Sequence, residues 1–120
     1  MTKTLLIVDD EEHMRDLYHR VFSGAEYSFT LAASVAEARE LLSSNSYSLL
    51  ITDLVLEDGA GTEIIAAASE KSSTTKLILI SGSIEPWEAP LFAEKYNLDR
   101  CFGKPFNPES LLETVKGLLA

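Results

Sequence analysis

Residues 5–10 read LLIVDD, four apolar side chains in succession followed directly by two carboxylates. An unbroken apolar run of this length is typical of a strand that helices cover on both faces, whereas a strand with one face in water alternates apolar and polar residues. Similar runs occupy residues 49–51 and 77–80. We therefore predict that these three segments are central strands of a parallel sheet, with shorter flanking strands at residues 29–32 and 100–102.

Segments with helical periodicity separate the apolar runs. Apolar stripes at helical spacing comprise Met14, Leu17, Tyr18, Val21 and Phe22; Val35, Ala38, Leu41 and Leu42; Trp87, Leu91, Phe92 and Tyr96; and Leu111, Leu112, Val115, Leu118 and Leu119. We expect each stripe, the third included, to pack in the core, with the alternative that Trp87, near the start of its helix, reaches a partner protein. Ser34 with Glu37 forms a capping box, and Asn107 before Pro108 marks another helix start. The pattern predicts five βα units and an α/β fold.

The size and charge of the chain restrict its organisation and its partners. With 120 residues, of which 46% are hydrophobic, residues 1–120 are predicted to form a single domain. Nineteen acidic and ten basic residues give a formal net charge of -9. Because phosphate-rich surfaces repel such a chain, we expect neither nucleic acid nor an anionic membrane as a direct partner.

The expected compartment is the cytoplasm. A single cysteine excludes an internal disulfide, and the chain does not open on a basic and then apolar leader. The apolar runs have the length of strands and are too short to span a bilayer.

Polar side chains with reactive groups follow the predicted strands. In an alternating parallel sheet, ligands bind outside the carboxyl ends of the strands. Asp9 and Asp10 follow the first strand, and Asp53 follows the third. Ser81 follows the fourth strand, and Lys104 lies just past the fifth. We expect these side chains to converge on one crevice.

Carboxylates gathered in one pocket repel each other unless a cation or a raised pKa relieves them. A hard divalent cation is the simpler solution, because Mg²⁺ prefers oxygen ligands and is typically held by one or two carboxylates together with phosphate oxygens. We predict Mg²⁺ as the cofactor, with Asp10 and Asp53 as direct ligands and Asp9 acting through a water. The alternative, that Asp9 and Asp10 merely start a helix, loses weight because Asp53 and Lys104 are also present.

Asp53 is the candidate nucleophile of this pocket. With a metal ion and the Lys104 ammonium beside it, a phosphate brought to Asp53 would have its equatorial oxygens neutralised while the carboxylate attacks phosphorus in line. Ser81 adds a hydroxyl donor for the charge on the transferring group. This chemistry requires no histidine or cysteine from the chain.

Four motifs together resemble the receiver domain of two-component response regulators. They are residues 7–12 (IVDDEE), Asp53-Leu54 with Gly61 downstream, residues 80–82 (ISG) and residues 104–106 (KPF). Each motif alone is weak, but in this order and at the strand ends they are specific. The resemblance covers essentially the whole chain. It implies a flavodoxin-like, doubly wound sheet of five parallel strands in the order 2-1-3-4-5 with five helices.

The resemblance also implies roles for the residues of the crevice. Asp53 matches the aspartate that takes a phosphoryl group from a histidine, carried by a partner kinase or a histidine phosphotransfer protein. Asp9 and Asp10 match the acidic pair that binds magnesium. The backbone carbonyl of Val55 matches the third protein ligand of the metal.

The remaining implied roles concern the response to phosphorylation. Ser81 matches the hydroxyl residue that turns toward the phosphoryl group, and Lys104 matches the lysine that pairs with it. The family also implies a cis peptide bond before Pro105. Val55 and Ser83, two positions beyond Asp53 and Ser81, are expected to tune the lifetime of the phosphate.

Two positions depart from the family pattern. Glu57 stands where a proline is frequent, which changes a loop but removes no reacting group. Cys101 stands three residues before the lysine, where many receivers carry a tyrosine or phenylalanine that swings inward on activation. Either Phe102 or another side chain then reports the state, or the output surface works differently. We expect phosphorylation to pull Ser81 toward the phosphoryl group and to repack the region around Ser83, Trp87 and Cys101.

The leading hypothesis is a signalling domain and not a turnover enzyme, one that catalyses only its own phosphotransfer and slow autodephosphorylation. Its output, a downstream protein or a fused domain, stays open, as does homodimerisation on phosphorylation. A magnesium-dependent phosphohydrolase is a second hypothesis, although no second carboxylate follows Asp53 closely. A binding module that keeps the fold without the chemistry, or that holds a flavin phosphate, is a third.

Overall fold

A parallel five-stranded sheet forms the centre of the computed structural model, which describes residues 3–120. Its strands are β1 (Thr4–Val8), β2 (Ser28–Ala32), β3 (Leu49–Thr52), β4 (Lys76–Ser81) and β5 (Arg100–Gly103). They lie in the order β2-β1-β3-β4-β5, and every neighbouring pair is parallel. The predicted doubly wound fold and strand order are confirmed.

Five helices cover the sheet: α1 (Glu12–Ser23), α2 (Val35–Ser44), α3 (Gly61–Lys71), α4 (Ala89–Lys95) and α5 (Pro108–Leu119). Their apolar side chains form two clusters, one beneath α1 and α5 and one beneath α2, α3 and α4. Strand β1 serves both clusters, because Leu5 and Ile7 belong to the first and Leu6 and Val8 to the second. A strand buried on both faces needs this unbroken apolar run.

Both predicted helix starts are present. Ser34 Oγ accepts a hydrogen bond from the N–H of Glu37 at 3.1 Å. Asn107 Oδ1 accepts from the N–H groups of Glu109 (2.8 Å) and Ser110 (3.2 Å), and Pro108 occupies the first turn. These bonds satisfy N–H groups that the first turn of a helix leaves unpaired.

The structure differs from the sequence prediction in the segment before and within α4. Trp87 belongs to a single 3₁₀ turn, Pro86–Glu88, and α4 begins only at Ala89. The Trp87 and Leu91 side chains are 71% and 58% exposed, so the expectation that they pack in the core is wrong. Phe92 and Tyr96 do pack against the core, with their rings stacked at 5.9 Å. The stripe is split because Trp87 lies in the 3₁₀ turn before α4, whereas Leu91 lies within α4 on its exposed side.

A second difference is a short hairpin after Asp53, which the sequence did not predict. Val55–Leu56 pairs antiparallel with Gly59–Ala60, and we call residues 55–60 the hairpin. Leu56 is buried in the cluster beneath α2 and α3. Among the described residues, no helix has the length and apolar character needed to cross a membrane.

Replacing Asn107 with Ala should lower the free energy of unfolding by about 1 kcal/mol, because two N–H groups of α5 lose their acceptor. Urea unfolding would measure the change. Glu113→Ala is the matched control on the exposed side of the same helix, with an expected change within about 0.5 kcal/mol. Equal losses for the two variants would contradict a capping role for Asn107.

Candidate functional site

Backbone hydrogen bonds just past the strand ends position the polar residues of the crevice. The N–H of Asp9 donates to the last residue of β2 (3.1 Å), and the N–H of Asp53 donates to the last residue of β1 (3.2 Å). On the other side, the N–H of Lys104 donates to the carbonyl of Ser81 (2.9 Å). The parallel ladder thus holds the reactive residues at one edge of the sheet, as predicted.

The Lys104 ammonium contacts three carboxylates. Its Nζ lies 2.8 Å from Asp53 Oδ2 and 2.9 Å from Asp9 Oδ2, and a longer contact of 3.3 Å reaches Glu11 Oε1. Of the Lys104 side chain 14% is exposed, against 8% for Asp53 and none for Asp9. These charges therefore interact more strongly than an ion pair on the open surface.

Burial affects the two sides of this ion pair differently. It raises the pKa of the Asp9 carboxyl above its ordinary value, although the Glu11 N–H and Lys104 both favour the charged form. Burial also opposes the charged Lys104 ammonium, but the bonds and charges of Asp53 and Asp9 together outweigh it and raise the pKa of Lys104. Lys104 is held as an ammonium, whereas ionised Asp9 carries a cost that a further cation would relieve.

The donor atoms of the crevice fit a divalent cation. Asp9, Asp10, Glu11 and Asp53 each offer a carboxylate oxygen, and these oxygens all lie within 4.8 Å of one another. Asp10 Oδ2 also accepts a hydrogen bond from the N–H of Glu57 at 2.8 Å, which orients this carboxylate. A compact set of hard oxygen ligands is what Mg²⁺ prefers.

Gly61 allows the backbone to approach Asp53 closely. A Cβ atom at residue 61 would lie 1.9 Å from the carbonyl oxygen of Asp53 and 3.1 Å from Thr52 Oγ1. The N–H of Gly61 also donates to the carbonyl of Leu54 at 2.8 Å. A glycine is therefore required here because any larger residue would push the loop that carries Asp53 away.

Ser81 is buried at the end of β4, and its hydroxyl is engaged in a local turn. Ser81 Oγ lies 2.9 Å from Ser83 Oγ and accepts from the N–H of Ser83 at 3.2 Å. The Lys104–Pro105 peptide next to it is cis, as the resemblance implies. Ser81 is thus placed beside the crevice while its hydroxyl bonds to Ser83.

Comparison with known proteins identifies the family. The family model described as the response regulator receiver domain matches residues 5–116. The chain belongs to this family. The transcriptional regulatory protein SrrA of Staphylococcus aureus is 29% identical over 119 residues, which are 99% of this chain and 48% of SrrA. The receiver domain spans about half the length of the curated relatives it matches.

Solved structures share the fold. A CheY-like response regulator receiver domain protein from Methanospirillum hungatei JF-1 superposes with a TM-score of 0.88 at 28% identity, covering 99% of this chain and 94% of that one. A response regulator from Burkholderia pseudomallei, described with a phosphorylated aspartic acid, a calcium ion and citrate, gives a TM-score of 0.79 at 23% identity. Here 98% of this chain and 73% of that one are covered.

The two residues before Gly103 of the receiver domain face opposite sides of the sheet. Cys101 is buried in the cluster with Ile84 and Leu98, and burial raises the pKa of its thiol to about 11. Phe102 belongs to the other cluster, beside Phe106 at a ring distance of 6.5 Å. Phe102 therefore does not occupy the place beside α4 that Cys101 fills.

Sequence reasoning missed two contributors to the acidic crevice. Glu11 contacts Lys104, and its position directly after the acidic pair was the available signal. Arg15 Nη1 donates to the carbonyl of Asp9 at 2.8 Å. A cation in the first turn of a helix opposes the helix dipole, so Arg15 could have been noticed as a residue that needs a specific partner.

Replacing Asp9 with Asn should make the metal-free receiver domain less sensitive to rising pH. Because the pKa of Asp9 is raised in the folded state, wild type loses stability as pH rises above the ordinary aspartate value of about 3.9. The gain in unfolding free energy from Asp9→Asn should therefore be larger at about pH 7 than at about pH 4.5, measured by urea unfolding in EDTA.

Asp16→Asn provides the control for this prediction, since Asp16 is an exposed aspartate on α1. As a surface substitution, it should change the free energy of unfolding by no more than about 0.5 kcal/mol. If Asp9→Asn increases the free energy of unfolding equally at both pH values, burial does not disfavour the ionised Asp9 carboxylate, and the account of its raised pKa is contradicted.

Proposed function

We propose that Asp53 accepts a phosphoryl group from a histidine of a partner kinase or phosphotransfer protein, and that the aspartyl phosphate controls an output partner or domain. The observation that best supports this proposal is the position of the Lys104 ammonium, which bonds at 2.8 Å to Asp53 and at 2.9 Å to Asp9 within the acidic crevice. This arrangement supplies a nucleophilic carboxylate next to a fixed positive charge, which phosphoryl transfer needs.

In the transfer step, a carboxylate oxygen of Asp53 attacks phosphorus while the phosphorus–nitrogen bond to the histidine breaks. The electron pair of that bond stays on the imidazole nitrogen. Lys104 exchanges a carboxylate contact for a phosphoryl oxygen and so neutralises part of the charge. In the later hydrolysis, water attacks phosphorus, inorganic phosphate leaves, and the Asp53 carboxylate is regenerated.

Asp10 and Asp53 would hold Mg²⁺, with Asp9 acting through a water. Bound there, the ion would neutralise negative charge on the carboxylates and on the phosphoryl oxygens. The carboxylate oxygens of Asp9, Asp10 and Asp53 lie within 4.8 Å of one another, which supports this assignment. The backbone carbonyl of Val55 is proposed as a further ligand.

The residues after Asp53 disfavour the competing enzyme hypothesis. A phosphohydrolase with an aspartate nucleophile needs a nearby second carboxylate to move protons. Two residues after Asp53 stands Val55, whose side chain is apolar and 61% exposed. The same exposure supports a role for Val55, with Ser83, in setting how readily water reaches the phosphoryl group.

Incubation with Mg²⁺ and acetyl phosphate should add one phosphoryl group to wild type and none to Asp53→Asn, as measured by intact-protein mass spectrometry. Asp16→Asn removes an equal charge from the exposed face of α1 and should be modified like wild type. EDTA should abolish the modification. An unmodified wild type, or equal modification of Asp53→Asn, would refute the proposed function.

Replacing Ser83 with Ala should favour the activated state. Ser81 Oγ lies 2.9 Å from Ser83 Oγ, and in the activated state it would exchange this contact for one to a phosphoryl oxygen. Removing a competing hydrogen bond of about 0.5–1.5 kcal/mol should tighten the binding of beryllofluoride, a phosphoryl mimic, by about 2- to 10-fold. A titration with beryllofluoride, monitored by amide hydrogen exchange at residues 81–87 and 101, would measure both the affinity for the mimic and the repacking.

Ser73→Ala, in the exposed loop between α3 and β4, is the matched control and should leave the affinity unchanged. Unaltered or weaker binding by Ser83→Ala would contradict the competition between Ser83 and the phosphoryl group. Amide protection that beryllofluoride leaves unchanged at residues 81–87 and 101 would contradict the proposed route of the switch.

A further inference from the structure

The tip of the hairpin is bonded to the start of α2. Asp58 Oδ1 accepts from the N–H of Val35 at 2.8 Å, and Asp58 Oδ2 accepts from the N–H of Ala36 at 3.1 Å. These bonds lower the pKa of the Asp58 carboxyl. A Cβ atom at Gly59 would lie 3.2 Å from Val35 Cγ2, so the hairpin is pressed closely against the helix.

The residue next to Asp58 is bonded to the acidic crevice. The N–H of Glu57 donates to Asp10 Oδ2 at 2.8 Å, across 47 positions of sequence. Asp10 is only partly buried, so this hydrogen bond is a specific constraint on a carboxylate that water also reaches. The hairpin therefore connects the N-terminus of α2 to Asp10 through two adjacent residues.

Asp58 caps α2 from a distant segment of the chain. The local partners serve other N–H groups, since Ser34 Oγ accepts from the N–H of Glu37 and Glu37 Oε1 accepts from the N–H of Ala33. Asp58 accepts from the N–H groups of Val35 and Ala36, 23 and 22 positions away, and among residues 3–120 the hairpin makes no further side-chain hydrogen bond to α2. These two bonds fix the position of the hairpin and also satisfy the first turn of the helix.

We propose that Asp58 is a positioning residue for the magnesium site: by anchoring the hairpin on α2, it holds the Glu57 N–H against Asp10 and so orients that carboxylate toward the metal. This inference rests on the proposed function, which makes Asp10 a metal ligand. Residues that orient a metal ligand through hydrogen bonds commonly affect metal affinity, because replacing them lets the ligand turn away from the metal.

Magnesium affinity tests the proposal without any phosphorylation. Calorimetric titration with MgCl₂ should give a dissociation constant about 3- to 10-fold higher for Asp58→Ala than for wild type, a smaller effect than direct loss of a ligand-orienting partner. Asp58→Asn keeps one acceptor oxygen and should give an intermediate value. In the metal-free protein, hydrogen exchange at the Glu57 N–H should be faster in both variants.

Two matched controls separate positioning from simpler effects. Asp99→Ala removes another side-chain bond between distant segments, the one that Asp99 Oδ2 accepts from the N–H of Leu77 at 2.8 Å, and leaves the crevice untouched. Glu57→Gln removes one negative charge beside Asp58, as each Asp58 variant does, but keeps the backbone N–H of residue 57. Both controls should bind Mg²⁺ within about twofold of wild type.

The outcomes distinguish this inference from the function on which it rests. If wild type binds no Mg²⁺, the metal site in the proposed function is overturned. If wild type binds Mg²⁺ and both Asp58 variants bind it equally well, the positioning role alone is overturned. An equal loss of magnesium affinity in Asp99→Ala or Glu57→Gln would also overturn it, because general loosening or loss of charge would then explain the effect.

Discussion

The ion pair between Lys104 and the carboxylates of Asp9 and Asp53 is the interaction on which the rest of the site depends. It joins the ends of three strands, since the partners follow β1, β3 and β5. Without the ammonium, two nearly buried carboxylates would face each other with their repulsion unrelieved. The raised pKa of Asp9 indicates that one lysine does not fully offset this cost. Additional positive charge in the acidic crevice would therefore be electrostatically favourable.

The sequence predicted the parts of the molecule that depend on burial and on strand ends. Continuous apolar runs at β1, β3 and β4 can be satisfied only between two layers of helices, so they determine the sheet and its faces. Once the strands were placed, Asp9, Asp53, Ser81 and Lys104 had to meet, because carboxyl ends of parallel strands share one edge. The local caps at Ser34 and Asn107 were readable because their partners lie within three residues.

Contacts between residues distant in sequence could not be predicted from the sequence in the same way. The two bonds between Asp58 and α2 and the bond from Glu57 to Asp10 join distant segments through a short hairpin, whose pairing involves only two residues on each strand. No periodicity marks so short an element. The prediction for Trp87 failed because helical spacing does not indicate where a helix begins, and the prediction for Leu91 failed because the spacing does not fix which side of a short helix is buried. The roles implied by the resemblance for Val55 and Ser83 stay predictions.

The shallow seating of α4 has a consequence for the energetics of signalling. None of its residues, 89–95, is buried, while Leu91 is largely exposed and Cys101 beneath it fills less volume than an aromatic ring would. The side chains of α4 pack in the cluster beneath α2, α3 and α4, which is separate from the cluster beneath α1 and α5. Local opening at α4 therefore sacrifices little apolar contact and leaves the opposite layer intact. In the proposed function, a phosphoryl group on Asp53 would contribute only a few hydrogen bonds, and α4 is a part of the domain that such a small contribution could rearrange.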